Sequence, residues 1–276
     1  MIKQAIIPLA GLGTRLLPLT SVFAKELLPI NGKPGIEYIL DECIEAGIKE
    51  VIFIISHKKM MIKKYFYNDK FYKDIIKRKK DFRIISEYKK ILKYKKMIKF
   101  VFQDKPLGTG DAVLKTKKFI KDKYFLMLLP DDLIIQKNCS KSMITVHKKY
   151  KSAVMASMKV AKSEVTRWGI YNIKEKVDNK NFIIQSVIEK PTIKEAPSNN
   201  AVIGRYILPK TIFNKLSKLK PGKDGEIHIT DAIQSLINDN DKFIGHNFSG
   251  KYLDCGTMKG YINSTLEISK KWNYAW

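Results

Sequence analysis

The sequence of 276 residues is long enough to bury a hydrophobic core and lies within the size range of a single domain. Its hydrophobic content of 45% and charged content of 29% are typical of a folded globular protein and exclude a disordered chain. The formal net charge of +25 is unusual, but apolar runs such as Phe125–Leu129 are far too short to cross a bilayer.

A β-prone run, Gln4–Leu9, ends in a loop with the sequence Ala10-Gly11-Leu12-Gly13-Thr14-Arg15. Two glycines let the backbone turn sharply and bring bare amide groups close to a ligand. Loops of this kind at the end of a first parallel strand bind phosphates, although a lone Gly-x-Gly pair also suits an ordinary tight turn. A third glycine is missing and no Gly-Lys-Ser/Thr follows, so the loop matches neither the dinucleotide fingerprint nor a Walker loop.

Two basic residues follow this glycine loop. Arg15 comes two residues after Gly13, and Lys25 lies in the segment Ala24-Lys25-Glu26-Leu27-Leu28-Pro29. A guanidinium and an ammonium group can neutralise the charge that builds up during phosphoryl transfer. We therefore predict that the loop binds a triphosphate with the help of Arg15 and Lys25.

Strands and helices alternate through the first half. Apolar residues at helical spacing predict a helix that ends near Gly47; they are Ile36, Ile39, Leu40, Cys43 and Ile44. The aliphatic run Val51–Ile55 is typical of a strand covered on both faces. Two further strands, Ile98–Phe102 and Tyr124–Leu129, flank a helix predicted over Asp111–Ile120. Strand–helix–strand units of this kind form right-handed crossovers between parallel strands, so we predict a doubly wound α/β sheet.

Lysines are concentrated between His57 and Lys99, where they alternate with apolar residues at roughly helical spacing. Their field would attract nucleic acid or an anionic membrane, and it would equally favour a substrate with several phosphates. The lysines are also compatible with solvated helix faces, and no RNA-binding motif accompanies them. We predict no specific nucleic-acid partner and no membrane partner.

The second half is richer in strands and turns. Strands are predicted at Ala153–Val160, Gly169–Ile173, Phe182–Ile188 and Ala201–Leu208, and helices at Pro209–Leu219, Ile229–Asn238 and Met258–Trp272. No repeat or linker separates the halves, so we predict one domain over residues 1–276, with a nucleotide-binding half (1–135) and a second half (136–276). The predicted fold is a Rossmann-like, doubly wound mixed sheet with a β-rich extension. Three widely separated cysteines indicate reduced thiols and a cytoplasmic protein; they are Cys43, Cys139 and Cys255.

Short motifs follow one another along essentially the whole chain. After the glycine loop come Lys25-Glu26-x-Leu-Pro, Gly32-Lys33-Pro34, Gln103-x-x-Pro-x-Gly108, Leu129-Pro130-Asp131-Asp132, Glu189-Lys190-Pro191, Ser198-Asn199-x-Ala-x-x-Gly204-Arg205-Tyr206, Gly225–Ile233 and Asp254-Cys255-Gly256. In this order they resemble the sugar nucleotidyltransferase family, and its uridylyl-transferring branch in particular. The resemblance implies that UTP and glucose 1-phosphate react to give UDP-glucose and pyrophosphate.

The resemblance also implies a Mg²⁺ site at Asp131 and Asp254. Asp131 directly follows a predicted buried strand, at the edge where α/β sheets bind ligands, and a carboxylate there can hold Mg²⁺. Spacing alone would place Asp254 in a turn, and it favours a turn or a helix N-cap for Asp132.

The remaining substrate contacts are likewise implied by the resemblance. The nucleotide would be bound by Leu9, Ala10, Gly11, Gly13, Gln103, Pro106 and Gly108. The sugar phosphate would be bound by the β-rich extension, through Gly169, Glu189, Lys190 and Gly204. Lys190 would bind the phosphate of the sugar phosphate and, like Arg15 and Lys25, would neutralise negative charge during catalysis. From spacing alone, Glu189 and Lys190 are equally well described as an exposed ion pair at a strand end.

Two alternatives remain open. Uridylyl-transferring members tend to read Gly-Leu-Gly-His-Ala where this chain reads Gly108-Thr109-Gly110-Asp111-Ala112, which leaves dTTP as an alternative nucleotide. A non-catalytic nucleotide- or RNA-binding protein on the same fold is the other alternative, but it predicts damaged metal or lysine positions, and these are intact here. Family members commonly form dimers or tetramers, so we expect a homo-oligomer.

Overall fold

A computed structural model describes residues 2–222 and 224–270. Nine strands form the main sheet of this part of the chain, and two short pairs lie outside it. In chain order the strands are β1 Gln4–Pro8, β2 Pro29–Ile30, β3 Lys33–Pro34, β4 Glu50–Ile55, β5 Ile98–Phe102, β6 Tyr124–Leu128, β7 Asp132–Ile135, β8 Ala153–Lys159, β9 Gly169–Lys176, β10 Asn181–Glu189, β11 Asn200–Pro209, β12 Phe243–Asn247 and β13 Lys251–Asp254.

The main sheet has the strand order β5-β4-β1-β6-β11-β8-β12-β10-β9. Strands β5, β4, β1 and β6 are mutually parallel, as the crossover rule predicts. Strand β11 runs antiparallel between β6 and β8, so one hydrogen-bonded sheet passes through both halves of the chain. The prediction of a Rossmann-like mixed sheet with a β-rich second half is confirmed.

Helices cover both faces of this sheet. The α-helices are α1 Gly35–Glu45, α2 Met60–Tyr67, α3 Asp69–Lys79, α4 Phe82–Met97, α5 Gly108–Leu114, α6 Cys139–Tyr150, α7 Ile212–Leu216, α8 Ile229–Asn238 and α9 Met258–Ser269. In β1, Ala5 and Ile7 join one buried cluster, whereas Ile6 joins the cluster on the opposite face. Because both faces are covered, the central strands are apolar at nearly every position.

Several predicted elements differ from the structure in extent. The helix predicted over Asp111–Ile120 is α5, which begins at Gly108 and gives way to turns after Leu114. The helix predicted over Pro209–Leu219 is shortened to α7, because Pro209 still belongs to β11. The C-terminal helix extends at least through Ser269, and the predicted end at Trp272 lies outside the described residues.

Four elements that follow β6 were not predicted, namely β7, α6, β12 and β13. The strands among them are short, and β12 contains Gly245 and Asn247, residue types that are uncommon inside strands. Helix α6 carries serine and threonine among its first seven residues, and these residue types are weak helix formers. Their formation therefore depends on tertiary contacts more than on local propensity.

The lysine-rich segment forms α2, α3 and α4, between β4 and the edge strand β5. Helix α4 buries Tyr88, Ile91, Tyr94 and Met97 and leaves most of its lysines at least partly exposed. Some lysines are paired, as in the ion pairs Lys90–Glu37 and Lys95–Asp69. The segment thus has the solvated helix faces that helical spacing predicts. Among residues 2–222 and 224–270, no helix combines the length and apolar character needed to cross a bilayer.

We expect acid to weaken the fold through His246. Its ring lies 2.8 Å from Asn181 Oδ1 and 3.1 Å from Ser142 Oγ, and burial, aided by the charge of Lys180, lowers the pKa of His246 to about 4. In the unfolded chain the His246 ring takes up a proton near pH 6.5, whereas in the folded protein it stays neutral down to about pH 4. The stability that neutral His246 contributes is therefore lost as pH falls from about 6.5 towards 4. Between pH 7 and 5 the wild type should lose about 2 kcal/mol more than His246→Gln, measured by urea unfolding. Equal losses in both proteins would contradict this assignment.

Candidate active site

The carboxyl ends of the parallel strands meet at one edge of the sheet, and many predicted site residues follow them directly. Strand β1 leads into the glycine loop, β5 into Gln103, and β6 into Leu129 and Asp131. Leu9 N donates to Ile54 O at 2.7 Å, so the loop starts as an extension of the sheet. Gly13 has a φ of +70°, a conformation that favours glycine. The loop therefore has the sharp turn that its glycines predict.

Arg15, Lys25 and Asp131 come together at this edge. Lys25 Nζ lies 2.8 Å from Asp131 Oδ2, and Arg15 Nη2 lies 3.4 Å from the same oxygen. The Lys25 and Asp131 side chains are largely buried, whereas the Arg15 side chain is 64% exposed. A buried cation is thus fixed on a carboxylate, while a second cation contacts the same carboxylate and is exposed to a ligand that arrives from solvent.

Charge coupling keeps Lys25 and Asp131 ionised. Burial lowers the pKa of Lys25, but the carboxylates of Asp131 and Glu26 outweigh it, so this pKa lies above its ordinary value. Burial raises the pKa of Asp131, but the charge and hydrogen bond of Lys25 dominate together, so this pKa lies below its ordinary value. Both side chains are therefore charged at neutral pH, so that Lys25 can bind an anionic ligand and Asp131 can bind a cation.

Asp254 faces the same point as Asp131. A Cβ atom built on Gly256 would lie 2.7 Å from Asp131 Oδ2, 2.8 Å from Arg15 Nη2 and 3.2 Å from Asp254 Oδ1. Gly256 is therefore the residue that leaves room between the two carboxylates. The pairing of β13 with β7 brings Asp254 there, because it places Asp254 opposite Asp132.

This donor set fits a hard divalent cation. Within the described ranges there is no group of three or more His, Cys, Asp or Glu residues that could enclose a metal ion. Mg²⁺ does not need one, because it is usually held by one or two carboxylates together with substrate phosphates. Asp131 and Asp254 supply two carboxylates that lie next to Gly256, whose amide donates to Asp254 Oδ1 at 2.8 Å.

The prediction of a turn or helix N-cap for Asp132 was wrong. Asp132 is the first residue of β7, and it accepts hydrogen bonds from Gly204 N at 2.8 Å and Tyr252 Oη at 2.7 Å. Burial, together with the charge of Asp131, raises the pKa of Asp132. The amide of Gly204, which was predicted to face the sugar, is thus directed at Asp132 in this structure.

Arg205 holds the backbone around Asp131 in place at this edge of the sheet. Its fully buried guanidinium pairs with Glu42 at 2.9 Å and donates to the carbonyl oxygens of Leu129 and Asp132 at 3.1 and 2.6 Å. These bonds fix the chain on both sides of Asp131. Arg205 is therefore structural.

A cleft of about 280 Å³ runs from the ion pair of Lys25 and Asp131 to Gln103, at the end of β5. Its lining includes seven predicted site residues, namely Ala10, Gly11, Lys25, Gln103, Pro106, Gly108 and Asp131. Gly108 has a φ of +91°, and a Cβ there would lie 2.6 Å from the Ile227 carbonyl oxygen. The cleft thus joins the residues predicted for the base to those predicted for the phosphates.

The predicted sugar residues form a separate group. Glu189 pairs with Gly169 in the β10–β9 ladder, and a Cβ on Gly169 would lie 2.9 Å from Glu189 Oε2. Lys190 is exposed, and its amide donates to the Trp168 carbonyl oxygen at 2.9 Å. Pairing of Ile170 with Ala201 joins this group to β11, the strand that carries Gly204. Within residues 2–222 and 224–270, no hydrogen bond or ion pair joins the side chains of Glu189 and Lys190 to Lys25 or Asp131.

Two features of the site have no local signal in the sequence. Lys59 Nζ donates to Leu9 O at 2.8 Å and to both Glu26 carboxylate oxygens at 2.9 Å, which ties the glycine loop to the residue after Lys25. Thr109 and Glu226 also line the cleft. Glu226 arrives there because Ile227 N donates to Leu107 O and Gly110 N donates to Ile227 O, at 2.9 and 2.7 Å.

A larger cavity, of about 360 Å³, lies elsewhere, beside Tyr124 and Ala153 at the amino ends of β6 and β8. It contains none of the predicted site residues. Ligands of open α/β sheets bind outside the carboxyl ends of the strands. We therefore place the candidate active site in the smaller cleft.

Closing the space beside Gly256 should abolish most activity with little effect on stability. In Gly256→Ala, the new Cβ would crowd Asp131 Oδ2 and Arg15 Nη2 at 2.7 and 2.8 Å. Both atoms are ends of side chains that can shift, so the free energy of unfolding should change by less than about 1 kcal/mol. We expect turnover to fall at least about 10-fold, since displaced carboxylates lose their alignment. Normal turnover in a folded Gly256→Ala protein would refute the placement of the metal site.

A mixed Rossmann-like sheet with paired cations and carboxylates beside a cleft at the carboxyl ends of its strands is typical of proteins that bind phosphate-bearing ligands. Over residues 4–271 the sequence matches the nucleotidyl transferase family. The chain belongs to this family and is a nucleotidyltransferase. A divalent cation is a general requirement of the family.

Relatives that are named for an enzymatic activity align with almost the whole chain. A UTP–glucose-1-phosphate uridylyltransferase of Staphylococcus saprophyticus is 35% identical over 274 residues, which covers 99% of this chain and 94% of the relative. A UDP-glucose pyrophosphorylase solved in complex with UDP-glucose is 35% identical, with a TM-score of 0.86 over 99% of this chain and 100% of its own. A UTP-bound UGPase from Acinetobacter baumannii is 32% identical, with a TM-score of 0.90 over 99% of this chain and 95% of its own.

Proposed function

We propose that this nucleotidyltransferase transfers a uridylyl group from UTP to glucose 1-phosphate and releases UDP-glucose and pyrophosphate. The carrying observation is the cluster of Lys25, Arg15, Asp131 and Asp254 around Gly256, at one end of the cleft that reaches Gln103. The full-length similarity to uridylyltransferases supports UTP and glucose 1-phosphate as the substrates.

The chain's own residues must hold two anions together. A phosphate oxygen of glucose 1-phosphate attacks the α-phosphorus of UTP in line, and pyrophosphate leaves from the opposite side. Lys25 is fixed by Asp131 and would place a cation at the triphosphate, and exposed Arg15 would add a second cation there. Positioning and charge neutralisation supply the acceleration, since the attacking phosphate is already ionised and needs no general base.

We propose Mg²⁺ as the divalent cation, held by Asp131 and Asp254. When bound, it would neutralise negative charge on the phosphate oxygens that these carboxylates face. The carboxylates fit this role because they share the space beside Gly256, and because the pKa of Asp131 is held low.

The sugar phosphate is proposed to bind between β9, β10 and β11. Glu189 can accept hydrogen bonds from hexose hydroxyls, and Gly169 beside it leaves room for the Glu189 carboxylate. Lys190 is exposed and can grip the phosphate. We also propose the predicted homo-oligomer and a cytoplasmic location; the latter is supported by the free thiols of Cys43, Cys139 and Cys255.

A substrate panel tests this function. Pyrophosphate release with Mg²⁺ should be fastest with UTP and glucose 1-phosphate when UTP, dTTP, CTP, ATP and GTP are each paired with several hexose 1-phosphates. A clear preference for dTTP would favour thymidylyl transfer instead. Absence of pyrophosphate with every pair would favour the non-catalytic alternative.

A further inference from the structure

The side-chain amide of Gln103 is held by two acceptors inside the nucleotide cleft. Gln103 is buried, and its Nε2 donates to Gly108 O at 3.1 Å and to Asp111 Oδ2 at 2.8 Å. An amide nitrogen has two hydrogens, so these bonds use both of them. The atom of this side chain that remains for a ligand is the acceptor Oε1.

The orientation of this amide follows from the chemistry of its partners. A carbonyl oxygen and a carboxylate oxygen only accept hydrogen bonds, so the opposite orientation would set Oε1 against two other acceptors. Asp111 is buried, and Lys115 Nζ lies 3.6 Å from the same Oδ2 atom. The carboxylate thus has a cation on one side and the amide of Gln103 on the other.

We propose that Asp111 is a positioning residue that sets base specificity, because it fixes Gln103 so that Oε1 faces the base. This inference rests on the proposed function. Uracil carries an N3–H donor that can meet Oε1, whereas cytosine presents a lone pair at N3 and would be repelled. Thymine shares the N3–H group, so the Asp111–Gln103 hydrogen bond discriminates against CTP and does not distinguish UTP from dTTP.

Asp111 is the side-chain acceptor among the two partners of Gln103 Nε2, since Gly108 contributes its backbone carbonyl oxygen. A substitution can therefore remove the Asp111 acceptor while the Gly108 acceptor stays in place.

The test compares UTP with CTP in three variants. Asp111→Leu removes the acceptor, and Asp111→Asn keeps one in the same place. Thr116→Val is the matched control, because Thr116 is fully buried just after α5 and its hydroxyl donates to Val113 O, away from Gln103. We measure kcat and KM for each nucleotide at saturating glucose 1-phosphate.

In Asp111→Leu we expect the KM for UTP to rise about 10- to 100-fold with a small change in kcat, as loss of a buried hydrogen-bond partner implies. The ratio of kcat/KM for UTP over CTP should fall at least about 10-fold. Asp111→Asn should restore this ratio to within about threefold of the wild type, and Thr116→Val should leave it unchanged. The ratio compares two substrates on one enzyme, so a partly unfolded preparation does not alter it.

An unchanged UTP-to-CTP ratio in folded Asp111→Leu overturns the inference and leaves the proposed function standing. A wild type that releases no pyrophosphate with UTP overturns the proposed function itself. If Asp111→Leu does not fold, inhibition of the wild type by 3-deazauridine triphosphate, which has C–H in place of N3–H, decides the question. We expect it to bind at least about 10-fold more weakly than UTP, and equal binding overturns the inference.

Discussion

Replacing Lys25 with alanine should reduce kcat by about 10²–10³ and leave the fold intact. The ammonium group is the largely buried cation of the cluster, and it lies 2.8 Å from Asp131 Oδ2. Its removal takes away a preorganised charge at the triphosphate and leaves Asp131 without its main partner. Asp131→Ala should likewise nearly abolish turnover. Pyrophosphate release under saturating substrates measures both effects.

Lys215→Ala is the matched control for Lys25→Ala. Lys215 also forms an ion pair with an aspartate, Asp239, but neither residue lines the cleft. Thermal melts should show all three variants folded, and Lys215→Ala should turn over at the wild-type rate. Near-normal turnover in purified Lys25→Ala would remove Lys25 from the catalytic group.

Arg205→Met should cost about 3–5 kcal/mol of stability, because it leaves the buried carboxylate of Glu42 without its cation. Arg205 is fully buried and donates to Glu42 through Nε and Nη2 at 2.9 to 3.1 Å. The loss is a large fraction of the free energy of unfolding of an ordinary domain. Urea unfolding measures it directly.

Adding Glu42→Gln to Arg205→Met should recover part of this loss, since no unpaired charge is then buried. As a control, Arg83→Met removes an exposed arginine that pairs with Asp81, and it should leave the urea midpoint unchanged. If Arg205→Met unfolds at the wild-type midpoint, the buried pair does not stabilise the edge of the sheet that carries Asp131.

Much of the fold could be predicted because its signals are local. Periodic apolar residues predicted α1, and continuous aliphatic runs predicted β4, β5 and β6 within a residue at each end. The glycine loop and Asp131 could be placed at one edge because parallel strands share a direction. Lys25 lies in the short helical turn Lys25–Leu27 and not at the end of a strand, so its place in the site was indicated by the motifs and not by that rule.

The remaining parts depend on contacts between distant residues. Spacing places Asp254 in a turn, and the β13–β7 ladder that brings it towards Asp131 leaves no periodic signal in four-residue strands. Asp132 was misassigned for the same reason, since its partners Gly204 and Tyr252 are far away in sequence. The Lys59–Glu26 pair and the Asp111–Gln103 bond join side chains that local patterns do not connect.

The most direct measurement of the central claim is ³¹P NMR of the wild-type protein with UTP, glucose 1-phosphate and Mg²⁺. We predict that the diphosphate signals of UDP-glucose and the signal of pyrophosphate appear together in equal amounts, and that addition of both products regenerates UTP. Hydrolysis of UTP without a sugar nucleotide, or no reaction in either direction, would contradict uridylyl transfer by this site.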